Sequence, residues 1–97
     1  MNLPVDNWSN VNGSGERKCR CGSWKQHWIN FSGKEWPSNC SVKGCYERPV
    51  LGAHVRNPDV KGEKIIPMCC GCNQLENKFS LKGGVTCVSA NMSETCG

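Results

Sequence analysis

Four of the nine cysteines fall into two pairs, Cys40-x4-Cys45 and Cys69-x2-Cys72. Zinc takes four thiolate or imidazole ligands in a tetrahedron, and two ligands close in sequence at each end of a domain supply them at low entropic cost. Gly44 sits beside Cys45 and permits positive φ in a tight turn next to a ligand. Cys69 and Cys72, at i and i+3, share one face of a first helical turn. The partial positive charge of a helix start there favours thiolate over thiol. Pro67 precedes that turn and stops the helix from extending backwards. The chemistry expected of Cys40, Cys45, Cys69 and Cys72 is therefore structural: one Zn²⁺ clamping a turn to a helix start. Such sites contribute ~10–16 kcal/mol, comparable to the whole stability of a domain, so the metal would decide whether the chain folds. Cys70 lies about a quarter-turn from Cys69 on a helix and reads as a small buried apolar residue.

Cys19-x-Cys21, with His27 shortly after, is a candidate half-site for a second metal. Cys96, or in second place Cys87, would complete it. A C-x-C pair can chelate from an extended segment, and this site would tie both termini to the domain. The competing reading is a set of ordinary reduced cysteines with a histidine satisfied in the core or at the surface.

Disulfides are the rival staple for a 97-residue chain with 37% apolar residues, since a core this small often needs covalent or metal support. An odd cysteine count leaves one thiol over in any intramolecular scheme, and the spacings suit chelation. Met1 to Trp8 has neither the basic nor the apolar stretch of a signal peptide. No segment approaches the length of a membrane span. The expectation is a reduced, cytoplasmic, zinc-stabilised protein. Its formal charge of +4 falls to +2 once four thiolates and one Zn²⁺ are counted, and to +1 with a second site of three thiolates and a histidine. Net charge is therefore a weak pointer to nucleic acid, although a local basic patch is compatible with it.

The elements that must position these ligands follow from pattern. Residues 1–16 read as a flexible N-terminal arm, with Trp8 as the residue able to dock; residues 17–97 read as one zinc-binding domain with its core at about 40–80. Ser23 and Gln26 form a capping box. Trp24, Trp28 and Phe31 then give an apolar stripe on a short helix that Ser32-Gly33 ends. Cys40 to Val55 is expected to be a β-hairpin with Pro49–Val55 as its returning strand. A polar loop over 57–63, an extended Lys64–Pro67 and a helix from Cys69 to Phe79 should follow, with Leu75 and Phe79 facing the core. Lys82-Gly83-Gly84 is a turn, and Val85–Val88 an edge strand. The order knuckle, hairpin, loop, helix is that of a treble clef. The expected class is α+β: a small zinc-stabilised treble clef with an additional short N-terminal helix.

Cys40 to Asn73, about a third of the chain, resembles the HNH, or ββα-metal, endonuclease family in its zinc-containing form. The residues that carry the likeness are Cys40-x4-Cys45, Gly52-Ala53-His54-Val55 and Ile65-Ile66-Pro67-Met68-Cys69-Cys70-Gly71-Cys72-Asn73. The resemblance implies a structural zinc joining hairpin to helix. It also implies a general base at His54 and a second metal, Mg²⁺ or Zn²⁺, that holds the scissile phosphate near Asn73. The chain departs from the pattern at three points. Ala53 stands where an acid or histidine usually ligates, Asn73 stands where the final histidine would be, and no asparagine lies near Glu63 to Ile65 to orient the base. Asn57 is an imperfect stand-in, and Glu63 or Asp59 could donate a carboxylate.

Phosphodiester hydrolysis needs a positioned water, a base and charge stabilisation on the phosphate. Three functions stay open. The preferred one is a non-catalytic HNH-like module that binds nucleic acid or protein through its helix and hairpin. Arg17, Lys18, Arg20 and Lys25 would form one basic patch, and Lys78 and Lys82 another. Trp24, Trp28 and Trp36 could stack on bases, although their spacing favours the core. The alternative is a metal-dependent endonuclease acting on DNA, with His54 as base and Asn73 plus Glu63 or Asp59 holding Mg²⁺. The third is an adaptor with protein partners only, which would expose an apolar patch.

Overall fold

The computed structural model describes residues 4–11 and 23–91. Helix α1 (Trp24–Ser32) starts at Ser23, whose hydroxyl accepts the Gln26 N–H at 3.0 Å. The Gln26 side chain does not close the capping box. It reaches forward and donates to Asn30 Oδ1 at 2.9 Å. Gly33 ends the helix in the left-handed region, φ 69°, with its N–H on Ile29 O. The buried side chains of α1 are His27 and Trp28, while Phe31 is exposed. The stripe expected through Phe31 is thus rotated towards His27.

Four antiparallel strands form one sheet in sequence order: β1 (Ser9–Asn10), β2 (Leu51–Arg56), β3 (Lys64–Met68) and β4 (Val88–Ser89). The central hairpin is β2–β3, with Ala53 opposite Ile66 and His54 opposite Ile65. It is not the expected pairing within Cys40–Val55. Residues 40–45 make a turn, and Val42 bridges Leu81 in place of a strand partner. Asn57 closes β2: its amide donates to Asp6 O at 2.7 Å and its Oδ1 accepts the Asp59 N–H at 2.9 Å. This side-chain turn occupies the residue considered as a base-orienting asparagine.

Side chains alternate across the sheet, which gives it two cores. One face carries Ala53, Val55, Ile66 and Met68, packed with Trp8, Phe79, Leu81, Cys40 and Cys69. The other carries Ile65, covered by Trp28 with Trp24, Ile29 and Trp36 around it. Trp28 and Trp36 meet edge to face at 5.6 Å, and their indole N–H groups bond to Thr86 O and Pro49 O at 2.9 Å each. Tryptophan burial with a satisfied N–H is ordinary core behaviour. Gly52 lets α1 sit directly on the sheet, because a Cβ there would lie 2.5 Å from the Trp24 carbonyl carbon.

Of the stretch read as an arm, residues 4–11 pack on the domain. Trp8 is fully buried and forms a two-way bridge with Phe79, and β1 extends the sheet beside β2. Helix α2 (Cys70–Asn73) is one turn, not a helix to Phe79, and Leu75 is exposed. Among the described residues, no helix is long and apolar enough to cross a membrane.

Candidate metal centre

The Cys40–Cys45 turn is held from several sides. Cys40 N–H bonds to Glu47 O at 2.8 Å and Cys45 N–H to Val42 O at 3.0 Å. Gly44 takes φ 83° between them, a conformation that costs glycine little and other residues more. The last strand residue, Met68, leads straight into Cys69, which caps α2 with its own side chain: Cys69 Sγ accepts the Cys72 N–H at 3.4 Å. Cys69 N–H in turn points at Cys40 Sγ, 3.4 Å away.

These turns bring Cys40, Cys45, Cys69 and Cys72 together with all four sulfurs within 4.8 Å of one another. Cys45 and Cys69 sulfurs are 3.7 Å apart. A regular tetrahedron with metal–sulfur bonds of about 2.3 Å has edges of about 3.8 Å, whereas a disulfide would bring two sulfurs to about 2.05 Å. All four thiols are free. The donor set and its spacing fit one tetrahedral Zn²⁺, and a set of four thiolates selects zinc over Mg²⁺, which demands oxygen ligands.

The electrostatics point the same way. Burial pushes the Cys40 thiol up, against partial relief from the N–H groups of Val42 and Cys69. Burial, then the neighbouring thiols of Cys69, Cys45 and Cys40, raises Cys72 as well. At Cys69 burial also pushes upward, but the Cys72 N–H and the thiols of Cys72, Cys45 and Cys40 together outweigh it, and this thiol goes down. A divalent ion removes the like-charge penalty and lets all four sulfurs ionise.

Other residues expected at a site are dispersed. Cys70 is exposed, not a core residue. His54 is buried on the α1 face, with the Trp24 ring edge-on at 4.2 Å. Asn73 ends α2 on the opposite face, where Asn10 donates to Cys72 O and Leu75 O at 3.0 Å each. Asn10 is the neighbour of Val55 in the β1–β2 ladder, and alternation directs His54 to the other face of the sheet from Val55. Asp59 is exposed and Glu63 half-buried, both at the far end of the hairpin. His27 is fully buried, its Nε2 2.9 Å from Ser89 O, between the rings of Trp24 and Phe31. Its expected co-ligands Cys19, Cys21 and Cys96 lie outside the described residues, as do Arg17, Lys18 and Arg20. Cys87 is half-buried, and burial, tempered by Lys64, pushes its thiol up to about 11.

Two features were not foreseen. Lys82 Nζ donates to Cys40 O at 2.7 Å and to Cys45 O, and lies 4.7 Å over the Tyr46 ring. An open groove of about 900 Å³ runs beside the turn, edged by Lys34, Lys43, Lys82, Glu35 and Tyr46 over a floor that includes Trp28. Only a three-dimensional reading finds either, because the contributing segments lie about 40 residues apart. Comparison of the chain with protein-family models, with curated proteins and with solved structures returns no match.

Proposed function

We propose that the chain is a zinc-stapled, non-catalytic binding module with the logic of a treble clef. The Cys40–Cys45 turn, the β2–β3 hairpin and the start of α2 are joined through one Zn²⁺, and nucleic acid binds along the basic groove beside that turn. The observation that carries this reading is how the chemically capable residues are divided. Four sulfurs converge on a point, whereas His54 is buried against Trp24 and Asn73 is exposed at the end of α2. A general base must reach the proton it abstracts, directly or through one water, and a histidine 4% exposed beneath an indole is poorly placed to do so.

The groove supports an anionic partner over a purely protein one. Lys34 and Lys43 edge it against one glutamate, beside Lys82, whose ammonium is held by the Cys40 and Cys45 carbonyls, and Tyr46 is 76% exposed beside it. An aromatic face flanked by cations suits stacking on a base while phosphates are neutralised.

Two assays on the 97-residue chain, with its metal content measured, test the proposal. Binding of a fluorescein-labelled oligonucleotide should be detectable and should weaken steeply between 50 and 200 mM salt, roughly by the factor expected from release of a few counterions. Plasmid DNA with Mg²⁺ or Mn²⁺ should stay intact, at the level of a His54→Ala control. Nicking by the wild type and not by His54→Ala would establish the endonuclease alternative. Metal-loaded protein that binds no oligonucleotide at low salt would remove the nucleic-acid partner.

A further inference from the structure

Among the described residues, Lys82 commits its ammonium to the ligand turn. Its Nζ donates to the carbonyls of both Cys40 and Cys45, the first and last residues of the turn. Its backbone N–H bonds to Ser41 O at 2.9 Å, Lys43 N–H bonds to Ser80 O at 2.9 Å, and Leu81 pairs with Val42. Residues 80–82 thus run alongside the turn as a splint, and the Lys82 side chain crosses its open end. The ammonium is half-buried, with the Tyr46 ring on another side, so solvent screens it less than a surface charge.

Four thiolates around one Zn²⁺ carry a net charge of −2. A cation fixed against the two residues that supply half of those thiolates opposes that charge. Two charge-assisted hydrogen bonds also hold the turn closed, which favours the ligating separation of Cys40 and Cys45. Groups that orient metal ligands typically contribute 10–100-fold in affinity.

We infer that Lys82 is a positioning residue for the metal centre: a built-in counter-cation that braces Cys40 and Cys45 at ligating separation. This rests on the zinc reading above.

The test uses the 97-residue chain as wild type, Lys82→Met, Lys82→Gln and Lys82→Arg. Zinc affinity is measured by competition with a chromophoric chelator, and ligand geometry by the d–d bands of the Co²⁺-loaded proteins. Lys82→Met keeps the apolar stem but loses the charge and both hydrogen bonds. Its affinity should fall by about 10–100-fold, and its Co²⁺ bands at saturation should shift and weaken. Lys82→Arg, which keeps the charge and can donate to two acceptors, should recover most of both. Lys82→Gln should fall between, and gives the answer if Lys82→Met does not fold. Affinity within about twofold of wild type for Lys82→Met, or for Lys82→Gln in its place, overturns the inference. A loss of affinity with unaltered Co²⁺ bands overturns it too, because general destabilisation alone would do that. Wild type that binds neither Zn²⁺ nor Co²⁺ is a different failure, which removes the zinc reading itself.

Discussion

Gly52 is where α1 and the sheet touch backbone to backbone, and Gly52→Ala measures what that contact is worth. The added Cβ would meet the Trp24 carbonyl carbon at 2.5 Å, the Trp24 oxygen at 2.6 Å and the Lys25 nitrogen at 2.8 Å. Ordinary contact begins at 3.4 Å, so the start of α1 must recede by about 0.9 Å. Backbone atoms cannot swing aside as a long side chain can. Retreat of α1 would also loosen Trp28 against Ile65 and Val88. Overpacking of this kind costs about 1–3 kcal/mol. Opposing it, alanine restricts the unfolded chain and returns about 0.4–1 kcal/mol. The clash should win, with a net loss of about 1–2 kcal/mol, or roughly 5–15 °C in Tm for a domain of this size. Thermal unfolding followed by circular dichroism at fixed excess zinc reads it, since metal would otherwise shift the midpoint by mass action. Gly71→Ala is the control. Nothing lies within 4 Å of its Cβ position, it belongs to α2, and alanine there should be neutral or slightly stabilising. Metal content should be unchanged in Gly52→Ala, because the sulfurs sit on the other face of the sheet, and in Gly71→Ala, because the added Cβ meets nothing within 4 Å. A Gly52→Ala protein that melts at or above the wild-type temperature would refute the reasoning, and so would one that loses its metal while keeping α1.

Two further outcomes concern the cysteines. Cys72→Ser should lose the tetrahedral site and unfold, given the ~10–16 kcal/mol that a structural zinc can contribute, whereas Cys70→Ala, at an exposed position, should stay within about 0.5 kcal/mol of wild type; folded, zinc-free Cys72→Ser by near-UV circular dichroism would contradict this. In zinc-loaded protein treated with iodoacetamide at pH 8, peptide mapping should find Cys70 alkylated and Cys87 spared. A thiol raised to about 11 by burial is ionised in only about one molecule in a thousand at that pH, and its reactivity should climb about tenfold per pH unit towards 11. Equal labelling of the two at pH 8 would show that the segment around Cys87 opens.

The ligand set was readable because metal chelation is written in residue type and spacing: Cys40, Cys45, Cys69 and Cys72 converge as two short-range pairs. Local capping was readable for the same reason, in Ser23 and Gly33. What failed depends on distant partners. The run from Cys69 to Phe79 has a helix-like spacing of Leu75 and Phe79, yet the helix stops after one turn. Asn10 takes the carbonyls of Cys72 and Leu75, and Phe79 is drawn into pairing with Trp8. Strand β1 is a Ser-Asn pair with no apolar alternation, so only its place beside Arg56 and Val55 makes it a strand. His27 displaced Phe31 from the buried stripe because Ser89 O offers its ring a buried partner, which phenylalanine could not use. The likeness of His54 and Asn73 to a catalytic pair rests on order along the chain; in the fold His54 is buried against Trp24 and Asn73 is exposed at the end of α2.

The bridge between Trp8 and Phe79 bears on how the protein is made. The Trp8 side chain finds its cover only 71 residues later along the chain. At ordinary elongation rates that is a wait of about 4–14 s. During that interval an indole destined for complete enclosure is open to solvent, chaperones and neighbouring nascent chains. Closure of this face therefore waits until Phe79 has been made and released, and slowing synthesis between residues 11 and 79 should lengthen the window for aggregation.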